Sequence, residues 1–128
     1  MIERNGLEEL LDTQQIIDLA HHIVDVIGDK KGENIVLMDL QDVSLITDYF
    51  VIGTASNERL LNAITDHIRE EVKKQQGVLP WRVEGTGDSG WVLMDYGDVV
   101  VHLFSPDVRS YYDLEGLWRD AHVLVRVQ

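Results

Sequence analysis

Two apolar runs of equal length, WVLMDY and VVVHLF, flank the dipeptide Gly97-Asp98 and predict a β-hairpin. A glycine at the first central position suits a two-residue turn, and the turn sets the register of both strands. Tyr96 then lies opposite Val99, and pairing continues outward until Trp91 lies opposite Phe104. The chain must therefore contain antiparallel sheet, and alternation assigns each hairpin side chain to one of two faces.

The two faces of this hairpin differ in composition. One is almost wholly apolar and belongs in a core: Val92, Met94, Tyr96, Val99, Val101 and Leu103. The other mixes aromatic, acidic and imidazole groups: Trp91, Leu93, Asp95, Val100, His102 and Phe104. Two interpretations of the mixed face stay open. Either a helix of the same domain covers it, with Asp95 and His102 paired by hydrogen bonds, or part of it binds a partner protein.

Helical and strand periodicities alternate along the rest of the chain. We predict a helix over 12–28 that begins with a capping box of Asp12 and Gln15, a second over 56–76 with Ser56 as its cap, and a third from the Ser105 cap and Pro106 onward. Strands are predicted over 33–40, 46–54, 80–84, 91–96 and 99–104. The tail HVLVRVQ either alternates as an edge strand or is loosely held. The expected fold class is α/β, one domain with a mixed β-sheet of about five strands flanked by helices.

Gly85, Gly87 and Gly90 spell G-x-G-x-x-G, the spacing of a dinucleotide-binding turn. That turn requires a helix after its last glycine, so that the helix N-terminus faces the pyrophosphate. A predicted strand follows here instead. We therefore interpret these glycines as a connection between two strands.

The acidic and histidine residues do not form a recognisable catalytic pattern. Nucleotidyl transfer needs two carboxylates two residues apart on a strand, and the only near match, Asp113 and Glu115, falls on a predicted helix. His67 beside Glu70 and Glu71 is better interpreted as an exposed histidine than as a metal ligand. We expect no enzyme activity, no cofactor and no metal.

Twenty-three acidic against eleven basic residues give a formal net charge of −12. No basic patch could follow a phosphate backbone, so we expect no direct sequence-specific nucleic-acid binding. Strong acidity suits docking on a basic protein, although it also simply favours solubility.

The acidic start of the chain resembles no secretory signal, and no apolar run is long enough to span a bilayer. We therefore expect a cytoplasmic protein without membrane contact.

Two longer strings, TDYFVIGTASNERLLNAITDHI and EGTGDSGWVLMDYGDVVVHLFSPDVRSYYDLEGLWRDA, closely resemble the ribosomal silencing factor family, also called Iojap. The resemblance covers 11–121, which we expect to be the domain, with 1–10 as an N-terminal extension and 122–128 as a C-terminal tail. It implies a nucleotidyltransferase-like topology without that activity.

The resemblance also implies a function. Family members bind the large ribosomal subunit through its ribosomal protein number fourteen, block joining of the small subunit when nutrients run short, and tend to form homodimers. The residues that match by position, and that we expect to contact the ribosomal protein, are Trp91, Leu93, Asp95, Asp98, His102, Arg109, Tyr112 and Glu115. A metal-dependent nucleotidyltransferase or nucleotide-binding enzyme is the alternative.

Overall fold

A computed structural model describes residues 11–128 as one α/β domain. Its elements are α1 (Thr13–Asp29), β1 (Glu33–Asp39), β2 (Tyr49–Thr54), α2 (Glu58–Gln76), β3 (Arg82–Glu84), β4 (Trp91–Asp95), β5 (Val99–Phe104), α3 (Pro106–Tyr112), α4 (Leu114–Leu117) and β6 (His122–Val127). The strands form one sheet in the order β3-β4-β5-β2-β1-β6. Because β2 and β5 run parallel while the other neighbours are antiparallel, the sheet is mixed and the predicted fold class is confirmed.

The sheet has six strands, where about five were expected. The additional one is β6, which pairs antiparallel with β1 at the edge of the sheet. Of the two alternatives for the tail, the edge strand is therefore the one that forms. The N-terminal extension predicted over 1–10 lies outside the described residues.

Side-chain caps determine where both long helices begin. Asp12 accepts a hydrogen bond from the Gln15 backbone N–H at 2.8 Å, and the Gln15 side chain accepts one from the Asp12 N–H, which is a capping box. The second cap was predicted one residue too early. Asn57, not Ser56, accepts from the Leu60 N–H at 2.8 Å, because its side chain precedes the first helical residue and reaches the third.

The predicted hairpin register is confirmed, with Trp91 opposite Phe104 and the Tyr96 N–H donating to the Val99 carbonyl at 2.9 Å. All six apolar residues of the first face are buried in the larger core, beneath α1 and α2. The second face contributes to a smaller core on the other side of the sheet, where Val108, Leu114 and Trp118 pack against it. The sheet is thus a layer between two cores of unequal size.

The single helix expected after Ser105 is broken into α3 and α4. Ser105 caps the first by accepting from the Val108 N–H, as predicted. Asp113 then adopts a φ of +45° and caps the second, its carboxylate accepting from the Gly116 N–H at 3.1 Å. Aspartate tolerates the left-handed region and supplies a cap, so one residue both ends α3 and begins α4.

The glycine-rich segment connects β3 to β4 through a short 3₁₀ turn, Gly87–Ser89, and the strand β4 follows directly. Gly85 and Gly90 have φ values of +87° and +79°, which glycine adopts without steric cost. The predicted strand connection is confirmed. Among the described residues, no helix combines the length and apolar character needed to cross a membrane.

Candidate functional site

The mixed face of the hairpin is covered along one half and open along the other. Over β5, the side chains of Val100, His102 and Phe104 are all buried. Over β4, Trp91 and Leu93 stay half-buried and line a groove of about 680 Å³. The first interpretation, cover by a helix of the same domain, therefore holds for the β5 half of this face. Partner binding by the open β4 half stays a prediction.

Three aromatic side chains form the wall of this groove. The ring centroids of Trp91 and Tyr112 lie 4.7 Å apart, and Tyr111 is 81% exposed. The Ser105 cap and Pro106 start α3 immediately after β5, which brings both tyrosines beside the start of β4. Glu84 and Asp107 also line the groove, so an aromatic surface is bordered by acids.

His102 lies behind Trp91 and holds it in place. It is 4% exposed, and its Nδ1 accepts a hydrogen bond from the Trp91 Nε1–H at 3.1 Å. Burial lowers the pKa of His102 to about 4, so the ring is neutral at pH 7 and its Nε2 carries the remaining proton. The Phe50 ring, 4.5 Å away, packs against it. His102 thus orients Trp91 from within the chain.

Asp95 and Asp98 lie at the hairpin end of the strands, away from Trp91. The Asp95 carboxylate accepts from the Gly97 N–H at 2.8 Å and from Arg82 at 3.4 Å. It therefore does not pair with His102. The Asp98 carbonyl accepts from the backbone N–H of Tyr49 at 3.0 Å. Both aspartates contribute to turn geometry, and a partner contact for them stays a prediction.

Arg109 and Glu115, which were predicted as partner contacts, bind each other. Two guanidinium nitrogens donate to the two carboxylate oxygens at 3.1 and 3.0 Å. A further Arg109 nitrogen donates to the Thr54 hydroxyl at 2.7 Å and to the Asn34 carbonyl at 2.5 Å. With its side chain only 12% exposed, Arg109 fastens α3 and α4 to the sheet.

The structure thus groups three of the eight predicted site residues in the groove: Trp91, Leu93 and Tyr112. Of the other five, His102 lies behind the groove, Arg109 and Glu115 lie on α3 and α4, and Asp95 and Asp98 lie at the hairpin turn. Sequence reasoning missed Glu84, Asp107, Val108 and Tyr111. All four lie in the longer string that carries the family resemblance, and the adjacent tyrosine pair in SYYD was a further signal. Neither signal shows that β3 and α3 lie close together, because that depends on the fold.

Within residues 11–128, one group of side chains has the spacing to hold a metal ion: His67, Glu70 and Glu71, whose ligand atoms lie within 4.8 Å of one another. They lie on one side of α2, and His67 is half-buried rather than exposed as predicted. Glu71 also forms an ion pair with Lys74 at 3.5 Å. Since α2 packs on the opposite side of the sheet, this group is remote from the groove.

Comparison with known proteins agrees with the fold and covers almost the whole chain. The family model described as "Ribosomal silencing factor during starvation" matches residues 13–128. "Ribosomal silencing factor RsfS" of Halalkalibacterium halodurans is 42% identical over 111 residues, which is 87% of this chain and 92% of that protein. A crystal structure of a Chromobacterium violaceum protein matches with a TM-score of 0.73 at 33% identity, covering 84% of this chain and 87% of that one.

A more distant relative is the mouse protein named "Mitochondrial assembly of ribosomal large subunit protein 1". It is 30% identical over 98 residues, covering 75% of this chain and 43% of the mouse protein. The family match and the 42% identity, together with the shared fold, establish the relationship. The chain belongs to the ribosomal silencing factor family.

Proposed function

We propose that this protein is a translational repressor that docks on the large ribosomal subunit, through ribosomal protein number fourteen, and sterically blocks joining of the small subunit. Membership of the ribosomal silencing factor family supports a regulator that acts on the ribosome. The observation that carries the finer proposal is the open aromatic groove beside Trp91.

The groove has the composition of a protein-binding site. Trp91 and the exposed Tyr111 and Tyr112 offer the residue types that concentrate in interface hot spots. His102 holds Trp91 in a fixed orientation before any partner arrives, so little conformational entropy is lost on binding. A partner that places apolar side chains against these rings would bury the groove.

The charge of the chain selects the kind of partner. A net charge of −12 repels RNA phosphates and attracts lysine and arginine side chains. Asp107, at the groove, places an acid where such a side chain would border an apolar centre, whereas Glu84 is already paired with Arg82 at 2.7 Å. A basic ribosomal protein fits this pattern, whereas bare ribosomal RNA does not.

The name of the mouse relative refers to assembly of the ribosomal large subunit, which supports that subunit as the site of action. It also favours a second candidate function, in which the same surface acts during assembly of the subunit. The two functions use one contact and differ in timing. Depletion of the protein separates them: an assembly factor's loss leaves immature large subunits in growing cells, whereas a repressor's loss raises translation under starvation.

The proposed repression requires no chemistry. Asp95 and Glu84 are both paired with Arg82, and Glu115 is paired with Arg109, so cations of the chain already neutralise these acids. The enzyme alternative predicts saturable binding of a nucleoside triphosphate with Mg²⁺. Calorimetry with that mixture tests it, and absence of heat at millimolar ligand is the result we expect.

Cross-linking from the groove tests the contact. A photoreactive phenylalanine analogue in place of Tyr111, which is 81% exposed, should cross-link to ribosomal protein number fourteen on purified large subunits. The same analogue in place of Arg69, exposed on α2, is the matched control and should give no such product. Cross-links from position 111 only to other proteins or to RNA would contradict the proposed contact.

A further inference from the structure

The loop between β1 and β2, residues 41–47, exposes two adjacent aliphatic side chains. Leu45 is fully exposed and Ile46 is 89% exposed. An isolated exposed leucine is ordinary on a protein surface, but two large neighbours at a loop tip form a compact apolar protrusion. Neither side chain contributes to either core of the domain.

Hydrogen bonds hold this loop in one conformation. The Val43 and Ser44 N–H groups both donate to the Leu40 carbonyl, at 3.0 and 2.8 Å. The Ser44 hydroxyl accepts from the Ile46 N–H at 3.1 Å, and the Thr47 hydroxyl donates to the Gly97 carbonyl at 3.0 Å. The loop is therefore fastened to the hairpin turn, and the two aliphatic side chains are presented in a fixed direction.

The protrusion lies in acidic surroundings. Asp39, Asp42 and Asp48 lie on or beside the loop, and the sequence holds no lysine or arginine between Lys31 and Arg59. The pKa of the neighbouring Tyr49 is raised, first by burial and then by the charges of Asp39 and Asp48. A surface that combines exposed aliphatic side chains with a negative electrostatic potential is complementary to an apolar pocket bordered by lysine or arginine.

The loop and the aromatic groove lie at opposite ends of the hairpin. Trp91 begins β4, whereas the loop contacts Gly97 just after β4 ends. A five-residue strand is about 17 Å long, so the two surfaces are separated by roughly that distance. One partner assembly could contact both, and two separated contacts would fix the protein's orientation as well as its position.

We infer that loop 41–47 is a second anchor, which inserts Leu45 and Ile46 into an apolar, basic-rimmed pocket of a protein on the same large subunit that the groove contacts. This inference rests on the proposed function. A second copy of this chain is a poorer occupant, because it would bring the same acids against Asp42 and Asp48. An anionic membrane surface is disfavoured for the same reason.

Affinity for purified large subunits tests the second anchor. The Leu45→Thr/Ile46→Thr variant should bind at least tenfold more weakly than the unaltered protein, while its thermal unfolding is unchanged because both side chains are already exposed. Leu45→Ile/Ile46→Leu keeps the apolar area and should retain most of the affinity. Val127→Thr is the matched control: an exposed apolar residue at the far end of β6, whose replacement should leave binding unchanged.

The outcomes separate this inference from the proposed function. If the unaltered protein binds large subunits and the Leu45→Thr/Ile46→Thr variant binds equally well, the second anchor is overturned while the groove contact survives. If that variant instead loses self-association in analytical ultracentrifugation and keeps its ribosome affinity, the occupant is a second copy and the inference is again overturned. If the unaltered protein does not bind large subunits, the proposed function itself fails.

Discussion

Trp91 is the residue on which the proposed contact depends, because it is both exposed to the groove and fixed by His102. Trp91→Ala should weaken binding to large subunits by about 2 kcal/mol or more, the threshold of an interface hot spot. Since Trp91 also packs against the smaller core, its loss should lower stability as well. Tyr111→Ala supplies the cleaner companion, as Tyr111 is 81% exposed and its removal should weaken binding without affecting unfolding. Full affinity in both folded variants would contradict the role of the groove.

His102 should make the stability of the domain depend on pH. Its pKa is about 4 in the folded protein, against an ordinary value of 6.5, because burial penalises the charged ring. Below pH 6.5 the unfolded chain binds a proton that the folded chain does not, so stability is complete above pH 6.5 and falls with decreasing pH. The loss should reach about 3 kcal/mol at pH 4.

Comparison with a His102→Gln variant isolates this contribution from that of the carboxylates. Urea unfolding at several pH values should show a shallower decline between pH 6.5 and 4 for the variant, although it is less stable at pH 7. Parallel declines for the two proteins would show that His102 is not the group responsible.

At the residue scale, the sequence indicates which residues belong to the site more readily than it indicates which residues contact one another. Trp91 could be placed at the site because alternation and aromatic character identify it, whereas Tyr112 was placed there by the family resemblance. The pairing of Arg109 with Glu115 could not, since it spans a helix break that one residue, Asp113, produces. Likewise, His102 is buried because α3 and α4 cover β5, and that tertiary contact cannot be deduced from the sequence.

The elements α3 and α4 form a unit that shapes the groove, and Arg109 holds that unit to the sheet. Arg109→Ala would leave Glu115 without its partner and remove the donor to the Thr54 hydroxyl. Breaking a pair that is largely but not wholly buried should cost about 2 kcal/mol of unfolding free energy. In a double-mutant cycle with Glu115→Ala, the two effects should fall short of additivity by about 1 kcal/mol. Strict additivity would indicate that the pair does not couple α3 to α4.

The glycines of the β3–β4 connection should be sensitive to substitution for structural reasons. At Gly85 an added Cβ would collide with the Trp91 carbonyl oxygen, and the φ of +87° is unfavourable for alanine. Gly85→Ala should therefore cost about 3 kcal/mol of stability. Gly77→Ala is the matched control, with a similar φ of +71° but open space around it, and should cost about 1 kcal/mol. Equal costs in thermal unfolding would contradict the close approach of the two segments.

Elements stabilised by local interactions were predicted well, and those that depend on distant pairing were not. The hairpin register follows from the two-residue turn, and the start of α1 from the Asp12 capping box. The position of β6 next to β1 could not be deduced, because its alternating pattern suits any open edge of a sheet. The break at Asp113 was missed because the apolar spacing around it suits a continuous helix.

For the molecule as a whole, one side of the sheet is closed by two long helices and the other is only partly closed. The larger core supplies most of the buried apolar surface, so the open half of the mixed face can remain uncovered without loss of the fold. Combined with a net charge of −12, this arrangement favours docking on a basic protein surface over binding of nucleic acid.

Gradient sedimentation of separated ribosomal subunits tests the central claim most directly. Small and large subunits are mixed under joining conditions with increasing amounts of the protein, and the joined particle is quantified. We predict that the protein sediments with the large subunit and that the joined particle declines as the protein saturates it, while the Tyr111→Ala variant requires a higher concentration for the same effect. Undiminished joining with the protein bound at saturation would contradict the account.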